Sequence, residues 1–281
     1  MARKFPAETL DPVFDFSGKV ALVTGSARGI GRNIAEKLAG SGSVVLITDI
    51  DDALGKKTQK DFQEKGYKVE FFNSDLSEPK NIARLFDKID NLGLRVDYLI
   101  NNVRGGARTD LLSETIENWN LTISTILGSA FFCAQEFVRR SKNLDNGVIV
   151  NIGSIAGSLV CPHSPSYHVA KSSLSGLTHY LAVQSGQNVR ANAIIPGFIV
   201  RDEDQSRFKQ ADNLEYRELS NAIHPVGRVG TADDIANLVA FLCSDYATFM
   251  SGECIVIDGA LSVQEQSTLL FKNTLFKSDS E

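Results

Sequence analysis

The chain is poor in the residues that build covalently stapled or metal-held scaffolds. Cys133, Cys161, Cys243 and Cys254 are scattered along 281 residues with no CxxC pair, which excludes a disulfide framework. They read as small buried hydrophobes of a reducing compartment. The four histidines (163, 168, 179 and 224) have no H-x-x-x-H spacing, so no metal site is expected. Positive charge is also scarce. A formal net charge of −5 argues against a nucleic-acid partner or an anionic membrane, either of which would want a basic face. No run approaches the ~18 apolar residues of a membrane span. The N-terminal "MARKFPAETLDPVFDF" lacks the apolar stretch of a signal peptide. Together these absences predict a cytoplasmic protein acting on a small molecule.

What is present is a repeated alternation. The runs "KVALVT" (19–24), "SVVLIT" (43–48), "KVEFFN" (68–73), "VDYLIN" (96–101), "GVIVNI" (147–152), "VRANAII" (189–195) and "ECIVID" (253–258) are short, β-branched and almost continuously apolar. That pattern suits strands covered on both faces. Helical stretches such as "GRNIAEKLAG", "PKNIARLFDKID" and "TADDIANLVAFLCS" lie between them, the last with Thr231 and Asp234 spaced as a capping box. Pro79 and Pro165 fit first helical turns. Strand–helix alternation predicts an α/β fold: one doubly wound parallel sheet with helices on both faces and right-handed crossovers. We expect a single domain with its core at 17–260, an N-terminal extension (1–16) and a C-terminal one (261–281). Leu269, Leu270, Phe271, Leu275 and Phe276 in the latter suit an arm on a neighbouring subunit or a cover for the site, as well as a frayed end.

"VALVTGSARGIGR" places Gly25, Gly29 and Gly31 between the first strand and a helix. Glycine lets backbone turn sharply against a phosphate, and the helix N-terminus offers free N–H groups. In this context the triplet predicts a dinucleotide pyrophosphate site. Asp49 ends the second strand, where a carboxylate accepts hydrogen bonds from the adenosine ribose hydroxyls. It would repel a 2′-phosphate, so NAD is expected rather than NADP, although Arg28 within the loop could pair with that phosphate. Asp75, just past the third strand, could bond the adenine amino group or cap the next helix.

Tyr167 and Lys171 in "SYHVAKSSL" lie at i and i+4 and share a helical face. A phenol with pKa about 10 is a poor acid–base catalyst at neutral pH. An ammonium roughly 4 Å from the phenolate at an effective dielectric near 20 offers about 4 kcal/mol of attraction. Less desolvation, that could lower the tyrosine by up to about three units. Ser154, in "VNIGSIAG" at the carboxyl end of the fifth strand, could hold a substrate oxygen against the phenol.

With these residues in place the chain resembles the short-chain dehydrogenase/reductase family over about residues 17 to 260. The matching stretches are "TGSARGIG", "NN" at 101–102, "GS" at 153–154, "YHVAK" at 167–171, "PGFIV" at 196–200 and the segment from "HPVGRVG" to "GECIVIDG". The resemblance implies a seven-stranded Rossmann sheet and hydride transfer between a nicotinamide and an alcohol/carbonyl pair. It implies Tyr167 as acid/base, Lys171 on the nicotinamide ribose and Ser154 orienting substrate. It adds Asn101 on the adenosine side, Pro196, Gly197 and Ile199 along the nicotinamide, and Ile30 and Leu76 as further cofactor contacts. It also implies a homotetramer or dimer.

Three departures stand out. The usual N-N-A-G loop reads Asn101-Asn102-Val103-Arg104-Gly105 here. Ile126 occupies the position of an asparagine that steadies a proton-relay water. Arg201 replaces a threonine that commonly contacts the carboxamide. Arg104, Arg108 and Arg201 then fall on loops expected to border the substrate, which suits a carboxylate or a nucleotide-linked sugar; each could equally be a solvated loop charge. The alternatives to an NAD-dependent secondary-alcohol dehydrogenase are an NADPH-dependent 3-oxoacyl-thioester reductase and a non-catalytic NAD-binding scaffold.

Overall fold

Each of the seven apolar runs is a strand of one parallel sheet in the computed structural model, which describes residues 14–265. The strands are β1 (Val20–Thr24), β2 (Val44–Asp49), β3 (Val69–Asn73), β4 (Tyr98–Asn101), β5 (Gly147–Ile152), β6 (Val189–Pro196) and, last in the chain, β9 (Cys254–Ile257). Their spatial order is β3-β2-β1-β4-β5-β6-β9, so the order reverses between β1 and β4. Ligands of open α/β sheets bind at such a switch point, beyond the carboxyl ends of the strands.

Strand side chains alternate between two apolar layers, as period 2 requires. Ala21 and Val23 of β1 pack with α1 (Gly29–Gly40), α2 (Asp52–Glu64) and α9 (Ala232–Cys243). Val20 and Leu22 face α3 (Pro79–Asn91), α5 (Ser129–Arg140) and α6 (Pro165–Gln184). β4 starts at Tyr98 rather than two residues earlier because Asp97 is used as an anchor. Its Oδ2 accepts from Val20 N at 2.9 Å and its own N–H donates to Val20 O at 2.8 Å. Between α4 (Ile116–Ile123) and α5 the helix widens into a π turn, Ser124–Gly128, around buried Ile126. Such turns recur at functional sites.

Several expectations need correction. The pair β7 (Ile199–Val200) and β8 (Gly230–Thr231) has no sequence signature, because two residues carry no period. Phe16, one residue before the expected core, is buried and makes an edge-to-face contact with Tyr98 at 5.5 Å. Cys161 and Cys254 are only half-buried, unlike Cys133 and Cys243. The continuous helix Ile116–Arg140 has the length and apolar composition of a membrane span, but 44% of its apolar window is buried inside the fold. Its α5 portion packs on α3 and β4, and α4 packs on α6. Leu269 to Phe276 lie outside the described residues. Short helices α7 (Asp202–Phe208) and α8 (Leu214–Ala222) follow β7.

The capping box at α9 forms: Thr231 Oγ1 accepts from Asp234 N, and Asp234 Oδ2 accepts from Thr231 N at 2.8 Å. Thr231→Ala should lower unfolding stability by about 1 kcal/mol in a urea titration, with dinucleotide affinity unchanged.

Candidate active site

The glycine turn is held open from beneath by bonds between side chains and the main chain. Thr24 Oγ1 accepts from Asn102 N at 2.9 Å, and Asn102 Nδ2 donates to Thr24 O at 3.1 Å and Gly25 O at 2.9 Å. Asn102 thereby staples the end of β1 to the end of β4. Gly31 packs directly on the Gly25 carbonyl, and a side-chain carbon there would also sit 2.5 Å from Asn102 Nδ2, so no other residue fits. Gly25 and Gly29 have φ of +61° and +57°, which suits glycine alone. Arg28 precedes α1 in extended conformation with no side-chain cap, and the first turn of α1 holds no acidic residue. The helix therefore presents its free N–H groups and positive end without a capping side chain of its own.

Asp49 stands beside this turn, with Oδ2 accepting from Ala27 N at 3.1 Å and Oδ1 from Asp51 N at 3.1 Å. Each carboxylate oxygen keeps a lone pair for a ribose hydroxyl. Arg28 is exposed and makes no ion pair among the described residues. Asp75 closes a local turn, accepting from Ser77 N at 3.0 Å and Ser77 Oγ at 2.7 Å. It is not the cap of α3, whose N-cap position is Glu78. A cleft of about 340 Å³ between the end of β3 and α3 shares only Asp75 with the site.

Some expected cofactor contacts are spent elsewhere. The Asn101 side chain is buried and donates to Asn151 Oδ1 at 2.9 Å and Ala130 O at 3.3 Å, so it joins β4, β5 and α5 instead of facing the adenosine. Leu76 is buried in the layer under α3, which leaves only its main chain for a ligand. Ile30 and Ile199 lean on the opposite layer, Ile199 directly against Gly230. Pro196 ends β6, and Gly197 packs on Asp258 with its N–H donating to Ile257 O at 3.0 Å.

The chemistry-bearing residues meet where β5 gives way to α6. Ser154 begins a short turn, with Oγ accepting from Ala156 N at 3.1 Å. Its hydroxyl also bears on the Tyr167 phenol, favouring the ionised form. Lys171 is buried, and its Nζ donates to Ile152 O at 2.6 Å. This overturns the electrostatic expectation. The ammonium is committed to a carbonyl and lies 5.9 Å from the centre of the Tyr167 ring. Burial raises the Tyr167 pKa above its ordinary value, only partly offset by the Ser154 hydroxyl and the charge of Arg104. Burial, with repulsion from Arg104, pulls Lys171 down to about 7. The desolvation that makes the pocket dry outweighs the attraction between the pair.

Arg104 is the cation that faces the phenol, its guanidinium 5.5 Å from the Tyr167 ring centre. The loop reaches there because Gly105 and Gly106 lie flat on α4 and the π turn. A side-chain carbon on Gly105 would sit 2.5 Å from Thr125, and one on Gly106 would collide with Thr122. His163, which the motif reading passed over, covers the same ring at 4.6 Å between centres. Its Nε2 is 3.4 Å from Arg108 Nη2. Sequence offered no signal beyond a histidine four residues before Tyr167. Arg201 does not join this group: it lies against Gly29, and its fork is held by Asp204 at 2.6 Å. Ile126 packs with Ala130, Ala170 and Tyr167 in an apolar cluster, so the relay position is dry.

Comparison with known proteins places the whole arrangement. Residues 25–262 match the family model described as enoyl-(acyl carrier protein) reductase. A 3-oxoacyl-(acyl-carrier-protein) reductase of Aquifex aeolicus is 36% identical over 247 residues, 87% of this chain and 97% of its own. The crystal structure of a putative gluconate dehydrogenase from Agrobacterium tumefaciens superposes with a TM-score of 0.83 at 32% identity, covering 90% of this chain and 99% of that one. A gluconate 5-dehydrogenase from Burkholderia cenocepacia, in complex with NADP and tartrate, superposes with a TM-score of 0.79 at 25% identity, over 90% and 98%.

Burial first, then Arg108 and Arg104, pull His163 down to about 4. Between about pH 6.5 and 4 the unfolded chain therefore binds a proton that the folded chain refuses, so folded stability falls as pH drops through that window. A proton-NMR titration should place the His163 midpoint near 4, and His163→Asn should remove part of the acid-side loss of stability.

Proposed function

Because the chain belongs to the short-chain dehydrogenase/reductase family, we propose that it is an NAD(H)-dependent oxidoreductase moving a hydride between nicotinamide and a secondary alcohol or ketone that carries a carboxylate. The observation that carries the reading is the convergence of the Ser154 hydroxyl, which bears on the Tyr167 phenol, with buried Lys171 at the carboxyl edge of the sheet. The glycine turn fits a dinucleotide: Gly31 leaves no room for a side chain, and the first turn of α1 has no anion of its own. The Ile30 and Gly31 amides would take the pyrophosphate, Asp49 the adenosine ribose, Asp75 the adenine, Lys171 the nicotinamide ribose, and Pro196 with Gly197 would line the ring. When bound, the nicotinamide supplies or accepts the hydride.

The chain's own residues handle the proton. Ser154 and Tyr167 both donate to the substrate oxygen in the reducing direction, and Tyr167 delivers the proton that completes the alcohol. A phenol whose proton is held more tightly than usual is present in its donor form at neutral pH, but as a weaker acid than a free phenol. Alcohol oxidation needs the phenolate, so its rate should climb as pH rises toward the tyrosine's pKa. Arg104 stabilises that phenolate from above the ring. NAD is favoured over NADP by Asp49, although the gluconate 5-dehydrogenase neighbour holds NADP.

Arg104 and Arg108 over the Tyr167–His163 stack support a substrate carboxylate. The tartrate and gluconate named for the two structural neighbours are hydroxy acids of that kind. A second reading, reduction of a 3-oxoacyl thioester, is favoured by the name of the Aquifex relative and by exposed Leu111, Leu112 and Val160 on neighbouring loops. Exposed Trp119, Leu121, Tyr180 and Val183 on α4 and α6 support assembly with like subunits.

Tyr167→Phe should bind NADH with the parent's affinity and lose about 10²–10⁴-fold in kcat, by steady-state kinetics beside fluorescence titration. On a hydroxy-acid panel Arg104→Ala should raise KM. A panel turned over only as acyl thioesters would transfer the assignment to the second reading. Equal thermal shifts with NAD and NADP would remove the cofactor preference.

A further inference from the structure

Arg201 is expected at the substrate and found at the cofactor turn. Its stem passes over Gly29, with Cδ 3.2 Å and Cγ 3.6 Å from where a side-chain carbon on that glycine would sit. Its fork rests on Asp204, 2.6 Å from Nη2 and 2.8 Å from Nε, and on Glu203, 3.4 Å from Nη1. The next residue, Asp202, accepts from Asn33 Nδ2 at 2.8 Å, and that same amide donates to Gly29 O at 3.2 Å. Residues 201–204 are thus fastened to the first turns of α1 from two sides.

The charge arrangement gives this docking a direction. α1 has no capping side chain and no acidic residue in its first turn. The carboxylates near its positive end come instead from the chain after β7, with one guanidinium against three acids. A pyrophosphate bound to the α1 amides would bring its negative charge to the same turn. It would repel Glu203 and Asp204 and attract Arg201. The Arg201 pairs are half-exposed, 40% for the arginine and 35% and 47% for its partners, and ion pairs in water hold weakly. A phosphate offers the guanidinium a better-matched, charge-assisted fork.

We propose that Arg201 is a phosphate-binding residue of the cofactor site, held beside the glycine turn by Glu203 and Asp204 and transferred to the dinucleotide pyrophosphate, so that cofactor binding and the docking of α7 are coupled. The inference rests on the dinucleotide reading above. The Arg201 stem also packs closely over Gly29, 3.2 Å from where a side-chain carbon there would sit. Coupling is reciprocal, so weakening the acidic hold must strengthen the cofactor.

The test titrates the full chain with NADH by fluorescence, and with ADP-ribose and adenosine by calorimetry. Arg201→Ala should weaken NADH and ADP-ribose about tenfold, the worth of one charge-assisted contact. It should leave adenosine unchanged and flatten the salt dependence of NADH binding. The double variant Glu203→Gln/Asp204→Asn should bind ADP-ribose more tightly than the parent. Circular dichroism checks that each variant is folded, and the double variant, altering only half-exposed side chains, keeps the test alive if Arg201→Ala is not. Unchanged ADP-ribose affinity in Arg201→Ala, or an equal loss for adenosine, overturns the proposal while leaving the functional reading in place. A parent chain that binds no dinucleotide overturns both.

Discussion

The bond from Lys171 Nζ to the Ile152 carbonyl is the constraint on which the candidate site hangs. It ties the first turns of α6 to the last residue of β5 through a buried contact. That fixes the rotation of the helix, and Tyr167, one turn earlier, is thereby brought to Ser154 just beyond the strand. Asn101, Asn151 and Thr178 continue the tie deeper, from β4 through β5 to α6, through the Asn101 and Asn151 amide N–H groups, while Asn101 Oδ1 is buried without a partner. A network of this kind is costly if broken, because each freed polar group would be left without water.

Burial then decides the electrostatics. In an open setting the ammonium would lower the tyrosine. In this pocket desolvation acts on both groups, raising the phenol and lowering the amine. The compensating charge is supplied from outside by Arg104, on a loop that two glycines allow to lie flat. Burial holds His163 in its neutral form, reinforced by Arg108 and by the same arginine. One loop therefore bears on the phenol, on the histidine stacked over it, and on the charge of anything that enters.

The cofactor side follows a different logic, in which main-chain geometry does most of the positioning. Asn102 joins β1 to β4 where the strand order reverses, and the glycines leave the α1 amides open. Side chains here mostly serve the loop itself: Asp49 accepts from Ala27, and Asp75 closes its own turn. Arg201 is the exception, a long cation laid across the turn by a segment that arrives from β7.

The sequence by itself determined the seven strands of the main sheet, the glycine turn and the i, i+4 spacing of Tyr167 and Lys171. All of these are local: period, turn chemistry and i, i+4 spacing act over a few residues. Only the tertiary structure decided which way each polar side chain is spent. Asn101 turned inward because Asn151 lies across from it on β5, and Lys171 turned to a carbonyl because that carbonyl is the nearest acceptor in a dry pocket. Arg104 and Arg201 look alike in the chain, yet one stands over the phenol and the other over the glycine turn. Their loops are placed by packing against α4 and α1, contacts distant in sequence that no short pattern encodes.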